Sequence, residues 1–128
     1  MLVDSLGLVL VVSIQPASEQ DRGGAAAVLA EAGRRHPQLQ RIWADGGYRG
    51  PLAAAAAPLG CQLLIVAKPA GQKTFAVLPH RWVVERTFAW LSRYRRLGTR
   101  DLEDSPASSR AWVLVAMTHL MGQRLQRT

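Results

Sequence analysis

Short apolar runs separated by glycine and proline predict three or four β-strands in the first half of the chain. The runs at residues 2–4 and 8–14 are rich in Val, Leu and Ile, and the Ser-Leu-Gly between them predicts a β-hairpin turn. Two more apolar runs, at residues 39–44 and 62–67, are closely followed by turn-forming Gly or Pro. Each run has the length of an ordinary strand.

Helical patterns fill most of the remaining chain, apart from an irregular loop at residues 70–79. Alanine-rich segments predict helices at 25–35 and 52–57. The clearest helix spans residues 80–97 and ends at Gly98, because apolar side chains recur there at helical spacing: Val83, Val84, Phe88, Leu91 and Tyr94. Ser105 and Pro106 then open a last helix that reaches Gln126.

The order of these elements predicts an α/β fold. A hairpin is followed by helix, strand, helix, strand and two helices, and such alternation favours a layer with some parallel pairing. The length of 128 residues suits one domain or part of one. Three or four strands that start directly at Met1 indicate a sheet from which a part is missing.

Basic residues dominate the charge of the chain and suggest a polyanionic partner. The formal net charge is +7, and every basic residue except Lys68 and Lys73 is arginine. Because the guanidinium group binds phosphate in a bidentate manner, this composition favours nucleic acid. A GC-rich genome would also raise the arginine and alanine content, so the charge alone leaves both explanations open.

Membrane, disulfide and zinc functions find no support in the sequence. Cys61 is the only cysteine and lies in an apolar run, which is typical of a buried structural thiol. Residues 1–15 are apolar but too short to span a bilayer, and they carry Asp4 and no basic n-region. We therefore expect a cytoplasmic protein with no membrane partner.

Two acidic residues lie at positions where they could bind a ligand or a metal ion. Asp45 comes directly after a predicted strand and before Gly46 and Gly47, a place where α/β proteins bind ligands, although a plain Asp-Gly turn is the alternative. Glu85 lies within an apolar helix and is either a solvated partner of a neighbouring arginine or a metal ligand. Two carboxylates on different elements can hold Mg²⁺ or Mn²⁺, the ions that support phosphoryl transfer.

Two stretches of the sequence carry a specific family resemblance. Residues 42–48, Ile-Trp-Ala-Asp-Gly-Gly-Tyr, and residues 78–91, Leu-Pro-His-Arg-Trp-Val-Val-Glu-Arg-Thr-Phe-Ala-Trp-Leu, strongly resemble the insertion-sequence transposases of the IS-four/IS-five superfamily. The resemblance also takes in residues 2–7 and 20–22 and so covers nearly the whole chain. It implies a ribonuclease-H-like fold, a DDE triad of acids, Mg²⁺ or Mn²⁺ as cofactor and DNA as partner.

The resemblance assigns roles to individual residues. Asp45 matches the second catalytic Asp and Glu85 the catalytic Glu, and both are then metal ligands. Arg81 matches the arginine of the family's Tyr-Arg-Glu-Lys signature, which is expected near DNA phosphate. The tyrosine and lysine positions of that signature hold Leu78 and Ser92 instead. Arg93, next to Ser92, is the candidate substitute for the lysine.

The family's first catalytic Asp has no counterpart in this sequence. It belongs to a first strand upstream of the position that matches Met1, and Asp4 lies on the following strand. The resemblance therefore implies that residues 1–128 form a partial catalytic domain, an incomplete ribonuclease-H-like fold whose first strand is missing. That strand would lie between the second and the fourth strands of the sheet. The N-terminal DNA-binding region is absent as well.

We therefore expect a truncated transposase that binds DNA and is inactive alone. DNA contacts are expected from arginines that should lie close together in one helix: Arg81, Arg86, Arg93, Arg95 and Arg96. A partner could be an upstream transposase fragment or another copy of the chain. The alternatives are the second half of a split or frameshifted transposase, a non-enzymatic basic DNA-binding or transposase-interfering fragment, and an unrelated small α/β protein whose acids are structural.

Overall fold

A computed structural model describes residues 1–16, 21–67, 71, 80–98 and 105–127. The predicted α/β class is confirmed, and single 3-10 turns lie at Gly46–Tyr48, Ala57–Leu59 and Arg95–Leu97. The predicted loop at 70–79 lies outside the described residues, except for Gly71. The main elements are β1 (Leu2–Val3), β2 (Val9–Val11), α1 (Asp21–Arg35), β3 (Arg41–Asp45), α2 (Pro51–Ala56), β4 (Gln62–Val66), α3 (Arg81–Leu91) and α4 (Pro106–Gln126).

The predicted hairpin is present, and the side chain of Asp4 stabilises its turn. Asp4 Oδ1 accepts hydrogen bonds from the backbone N–H groups of Leu6, at 2.9 Å, and Leu8, at 2.8 Å. Gly7 closes the turn with φ of 81°, a left-handed conformation that glycine adopts without steric cost. The second strand, β2, has three residues and is shorter than the apolar run at 8–14. The Asp4 side chain therefore has a structural role in this turn.

The described strands form two separate sheets of two strands each. β1 and β2 pair antiparallel, with Leu2 opposite Val11. β3 and β4 pair parallel over five residues, from Arg41 opposite Gln62 to Asp45 opposite Val66. Within the described ranges no strand joins the two pairs.

Apolar side chains from both sheets pack against the helices in three clusters of buried residues. One joins β2, α3 and α4, one joins α1, β3 and α2, and a smaller one lies between β2 and α1. Cys61 belongs to the second cluster, and burial raises the pKa of its thiol, as a structural cysteine requires. Helix α1 contributes to clusters on both sheets and so connects them through apolar contacts.

Helix α3 ends at Leu91, so the prediction of one helix over residues 80–97 was wrong. After the C-cap at Ser92, Tyr94 adopts an extended backbone with ψ of 121°. Its hydroxyl donates to the Ala116 carbonyl of α4, at 3.2 Å, and contacts His119 Nδ1, at 2.9 Å. Tyr94 and Leu97 pack against the first apolar cluster, and this explains why the apolar pattern continued beyond the true helix end.

An ion pair ties α1 to α4. Glu31 Oε1 accepts from Arg110 at 2.6 Å and from Arg35 of its own helix at 2.9 Å. The hydrogen bond from Arg110 lowers the pKa of Glu31, and the positive charges of Arg110, Arg35 and Arg34 add to this effect. This ion pair therefore links two helices whose apolar residues belong to different clusters.

Candidate active site

A cavity of about 400 Å³ lies among β1, α1, β3 and α3. Its walls are apolar on the side of α1, where Val28 and Leu29 contribute, and mixed on the side of α3. Charged side chains gather where β3 ends and α3 begins. The residues that line the cavity include Leu2, Ala25, Trp43, Ala44, Asp45, His80, Arg81 and Glu85.

Asp45 is the last residue of β3 and borders this cavity. Its Oδ1 atom accepts a hydrogen bond from Gly47 N at 2.9 Å, which caps the 3-10 turn that follows. A Cβ atom at position 47 would lie only 3.0 Å from that same oxygen. The turn and the strand end therefore fix the carboxylate at the cavity wall. The Asp-Gly turn alternative is realised in the fold, and it is compatible with a role in a site.

Glu85 lines the same cavity from α3. Its Oε1 atom lies 3.3 Å from Arg81 Nε, one helical turn earlier, and more than half of each side chain is exposed. Exposed pairs of this kind stabilise a helix by only a few tenths of a kcal/mol, so the pair leaves Glu85 available for other ligands. The fold thus brings Asp45, Glu85 and Arg81 to one cavity, from elements distant in sequence.

The donor chemistry of these two acids fits a hard divalent ion. Carboxylate oxygens are preferred by Mg²⁺ and Mn²⁺, which also retain water ligands. Among the described residues no group of three or more His, Cys, Asp or Glu side chains could hold a metal ion. Asp45 and Glu85 are the acidic residues among the described lining of this cavity.

His80 and Trp43 also border the cavity, and the sequence gave no indication of their contact. Their ring centroids are 4.5 Å apart with the planes tilted by 32°. His80 has φ of 63°, the only positive φ among the described residues other than glycine. A left-handed backbone at the residue before Arg81 depends on tertiary contacts, which a sequence pattern cannot display.

The arginines of α3 differ in their surroundings. Arg81 is exposed beside Glu85. The Cζ atom of Arg86 lies 4.4 Å from the ring centroid of Trp82 and 4.8 Å from that of Trp90. The Nε atom of Arg86 is buried and makes no hydrogen bond with any described residue. Arg86 is therefore held between two indoles and presents less of its charge to solvent than Arg81 does.

The remaining predicted DNA contacts follow α3 and do not belong to it. Arg93 lies in the turn after the helix, and Arg95 and Arg96 lie in the 3-10 turn at Arg95–Leu97. Arg96 places its Cζ atom 5.0 Å from the ring centroid of Trp112 in α4. The expectation that the five arginines share one helix was therefore wrong, because the chain turns at Ser92 to pack Tyr94 against α4.

A comparison with protein families identifies the class of protein to which the chain belongs. The family model described as Transposase DDE domain matches residues 1–121, from β1 into the last turns of α4. The chain belongs to the transposase DDE domain family. No curated protein and no solved structure matches it.

Membership of the transposase DDE domain family connects the chain to DNA transposition. Transposition acts on DNA, and DDE transposases generally use divalent metal ions. The α/β architecture is compatible with a ribonuclease-H-like domain. No helix within the described ranges has both the length and the apolar character needed to cross a membrane.

Proposed function

We propose that this chain is the second half of a metal-dependent DNA strand-transfer enzyme of the IS-four/IS-five superfamily, with Asp45 and Glu85 as its carboxylate ligands. One observation carries the proposal: both acids line the same cavity, one at the end of β3 and the other on α3. Family membership supplies the reaction class. The match of Asp45 and Glu85 to family motifs supplies the two roles.

Each residue has a distinct part in the proposed reaction. Bound Mg²⁺ or Mn²⁺ supplies activation of the attacking oxygen and stabilisation of charge on the leaving oxygen during phosphoryl transfer. Asp45, whose Oδ1 accepts the hydrogen bond from Gly47 N, and Glu85 would hold the metal. Arg81 lies beside Glu85 and contacts the phosphate whose negative charge grows in the transition state. In the complete enzyme, water first cleaves a phosphodiester at the element end, and the freed 3′-OH then attacks target DNA.

Arginines around α3 provide the proposed DNA contacts. Arg81, Arg93 and Arg95 are exposed, and their charges attract phosphate without regard to base sequence. Arg96 and Arg86 belong to the same surface, although each stacks on a tryptophan. We therefore propose weak, salt-sensitive and largely sequence-independent DNA binding.

The separation of the described strands into two sheets supports an incomplete ribonuclease-H-like fold. The first strand of that fold would carry the third acid and would lie between the two pairs. We propose that residues 1–128 alone neither transpose nor nick DNA, because residues that act as a unit in catalysis lose most of their effect when one is absent. An upstream transposase fragment or a second copy would be the completing partner.

A second candidate function is that of a non-enzymatic DNA-binding fragment. The observation that favours it is the combination of a net charge of +7 with only two acidic residues among the described lining of the cavity. Such a fragment would compete with a complete transposase for DNA. It requires the arginines but neither Asp45 nor Glu85.

Localised oxidative cleavage distinguishes the two candidates. Fe²⁺ with ascorbate and H₂O₂ generates hydroxyl radicals where iron is bound, so a shared site predicts backbone cleavage near residue 45 and near residue 85 in the same sample. Asp45→Asn and Glu85→Gln should each remove both cleavages, whereas Asp4→Asn, a change in the hairpin turn outside the cavity lining, should remove neither. Uniform cleavage, or cleavage unaffected by either variant, would leave the non-enzymatic function as the better account.

A further inference from the structure

Helix α4 has apolar side chains on the side that faces solvent as well as on the side that faces the core. Its core side holds Val113, Ala116 and Met117, which belong to the first apolar cluster. On the opposite side, uncharged residues recur at spacings of three, four and seven, as they do along one face of a helix. They form the outer face of α4: Ala111, Leu114, Val115, Thr118, Met121, Gly122 and Leu125. Leu114 is 44% exposed and Leu125 is 78% exposed, and an apolar face of this kind indicates an interaction surface.

The two arginines of α4 are held away from this face. Arg110 forms its ion pair with Glu31 of α1. The Cζ atom of Arg124 lies 4.8 Å from the ring centroid of Trp90, and its Nη2 atom donates to the Leu6 carbonyl oxygen at 3.4 Å. The outer face is therefore neutral in a chain whose net charge is +7. It offers DNA phosphate no cation, and a second copy of the chain can approach it without like charges on the two faces meeting.

Thr118 is the polar side chain of the outer face, and its hydroxyl already has a partner within the helix. Its Oγ1 atom donates to the Leu114 carbonyl oxygen at 2.9 Å. A hydroxyl that is hydrogen-bonded inside its own helix can be covered by another helix without leaving a buried donor unsatisfied. The centre of the outer face can therefore be buried as readily as its apolar residues.

The side-chain sizes on the outer face are self-complementary about Thr118. In an antiparallel pair of α4 helices with the two Thr118 residues opposite each other, Leu114 of one copy lies beside Gly122 of the other, because each is four residues from the centre. Ala111 lies beside Leu125 in the same way, seven residues from the centre. Each layer thus combines a large side chain with a small one, as interdigitated packing requires. A Cβ atom added at Gly122 would meet nothing within 4 Å, so the space for the leucine is open.

We propose that the outer face of α4 is an interface between two copies of this chain, which pair their α4 helices antiparallel about Thr118. The arrangement has two-fold symmetry, so each contact occurs twice. No α4 residue belongs to the described lining of the cavity, and the interface is therefore separate from the proposed metal site. Two copies joined in this way carry two sets of the arginines that follow α3, which makes DNA binding bivalent.

Sedimentation equilibrium of the intact chain measures this association directly. A dissociation constant on the order of 1–100 μM is expected, because one helix pair is a small interface. Added salt should preserve or strengthen the dimer, since it screens the repulsion between two copies of charge +7. Leu114→Glu should weaken the dimer by about ten-fold or more, because it buries a charge. Gln123→Glu introduces the same side chain on another exposed side of α4 and should have little effect.

Gly122→Leu distinguishes the proposed packing from general apolar adhesion. A larger apolar side chain would strengthen non-specific association, but in the proposed register it meets Leu114 of the other copy and should weaken the dimer by about ten-fold or more. Leu114→Ala should weaken it as well. The double variant exchanges the large and small members of the pair, so its affinity should return to within about three-fold of wild type. Neither side chain lies in the buried core, and thermal melts of dilute samples should show folded monomers for all three variants.

Four results would overturn the proposal. A chain that remains monomeric at about 200 μM would assign the outer face to a different partner. Stronger association of Gly122→Leu, no rescue in the double variant, or equal effects of Leu114→Glu and Gln123→Glu would each exclude the proposed register. No metal or DNA enters these measurements, so their failure is separate from failure of the proposed function.

Discussion

The hydroxyl of Thr87 donates a 2.7 Å hydrogen bond to the carbonyl oxygen of Gly7, a residue 80 positions earlier in the chain. Thr87 is fully buried, and the contact fixes the tip of the hairpin against α3. The same helix carries Arg81 and Glu85 on its cavity side. The hairpin turn is therefore part of what positions α3, although it holds no site residue itself.

Gly7→Ala should destabilise the protein by about 1–3 kcal/mol. The backbone at Gly7 has φ of 81°, and an added Cβ would lie 2.8 Å from Thr87 Oγ1 and 2.9 Å from the Trp90 ring. Gly23→Ala is the control, because nothing lies within 4 Å of its added Cβ and alanine favours the helix by up to about 1 kcal/mol. Urea unfolding of both variants checks this. Equal stabilities would show that the hairpin tip does not pack as described.

Glu31→Gln should weaken the connection between α1 and α4 at neutral pH but not in acid. The hydrogen bond from Arg110 lowers the pKa of Glu31 below its ordinary value of 4.5. A lowered folded-state pKa contributes stability above the unfolded value, and this stability is lost as pH falls through the folded value. The measurement is the urea midpoint of wild type and variant from pH 7 to pH 3. A difference independent of pH would show that the charge of Glu31 does not matter.

His80→Val should cost about 1–2 kcal/mol more than His80→Asn. Both changes remove the imidazole from Trp43, but only asparagine tolerates the left-handed backbone at φ of 63°. The difference between the melting temperatures of the two variants isolates the cost of the left-handed backbone at position 80. Equal melting temperatures would mean that position 80 adopts another conformation in solution.

Arg95→Gln should mainly change the salt dependence of DNA binding, whereas Arg86→Gln should mainly change stability. Arg95 is exposed, so its loss should reduce the slope of log K for DNA against log salt by about one and leave stability unchanged. Arg86 lies between Trp82 and Trp90, so its loss should lower stability by about 1 kcal/mol and change the salt slope less. Filter binding over a salt series, together with urea unfolding, measures both. Identical profiles would contradict the stacked position of Arg86.

Local patterns predicted the fold class and most elements, because each short apolar run and each alanine-rich segment encodes its own structure. The end of α3 was missed for a physical reason. Tyr94 and Leu97 keep the apolar spacing of a helix, yet they reach the core from an extended residue and a 3-10 turn. The spacing of apolar residues indicates which side chains are buried, but it does not determine the backbone conformation at those residues.

The candidate site was predictable only in part. Asp45 could be identified because a strand end and two glycines are visible in sequence, and Glu85 because a charge inside an apolar helix is unusual. The contact between Trp43 and His80 joins residues 37 positions apart by number and depends on a left-handed backbone. No local pattern encodes such a contact, so it required the folded structure.

Binding of Mn²⁺ to the intact chain, followed by electron paramagnetic resonance, tests the central claim most directly. Wild type should bind Mn²⁺ weakly, because two protein carboxylates hold the ion, and Mg²⁺ should compete. Asp45→Asn and Glu85→Gln should each weaken binding by about ten-fold or more, whereas Asp4→Asn, in the hairpin turn, should leave it unchanged. Unaltered Mn²⁺ affinity in both cavity variants would show that Asp45 and Glu85 do not form a shared metal site.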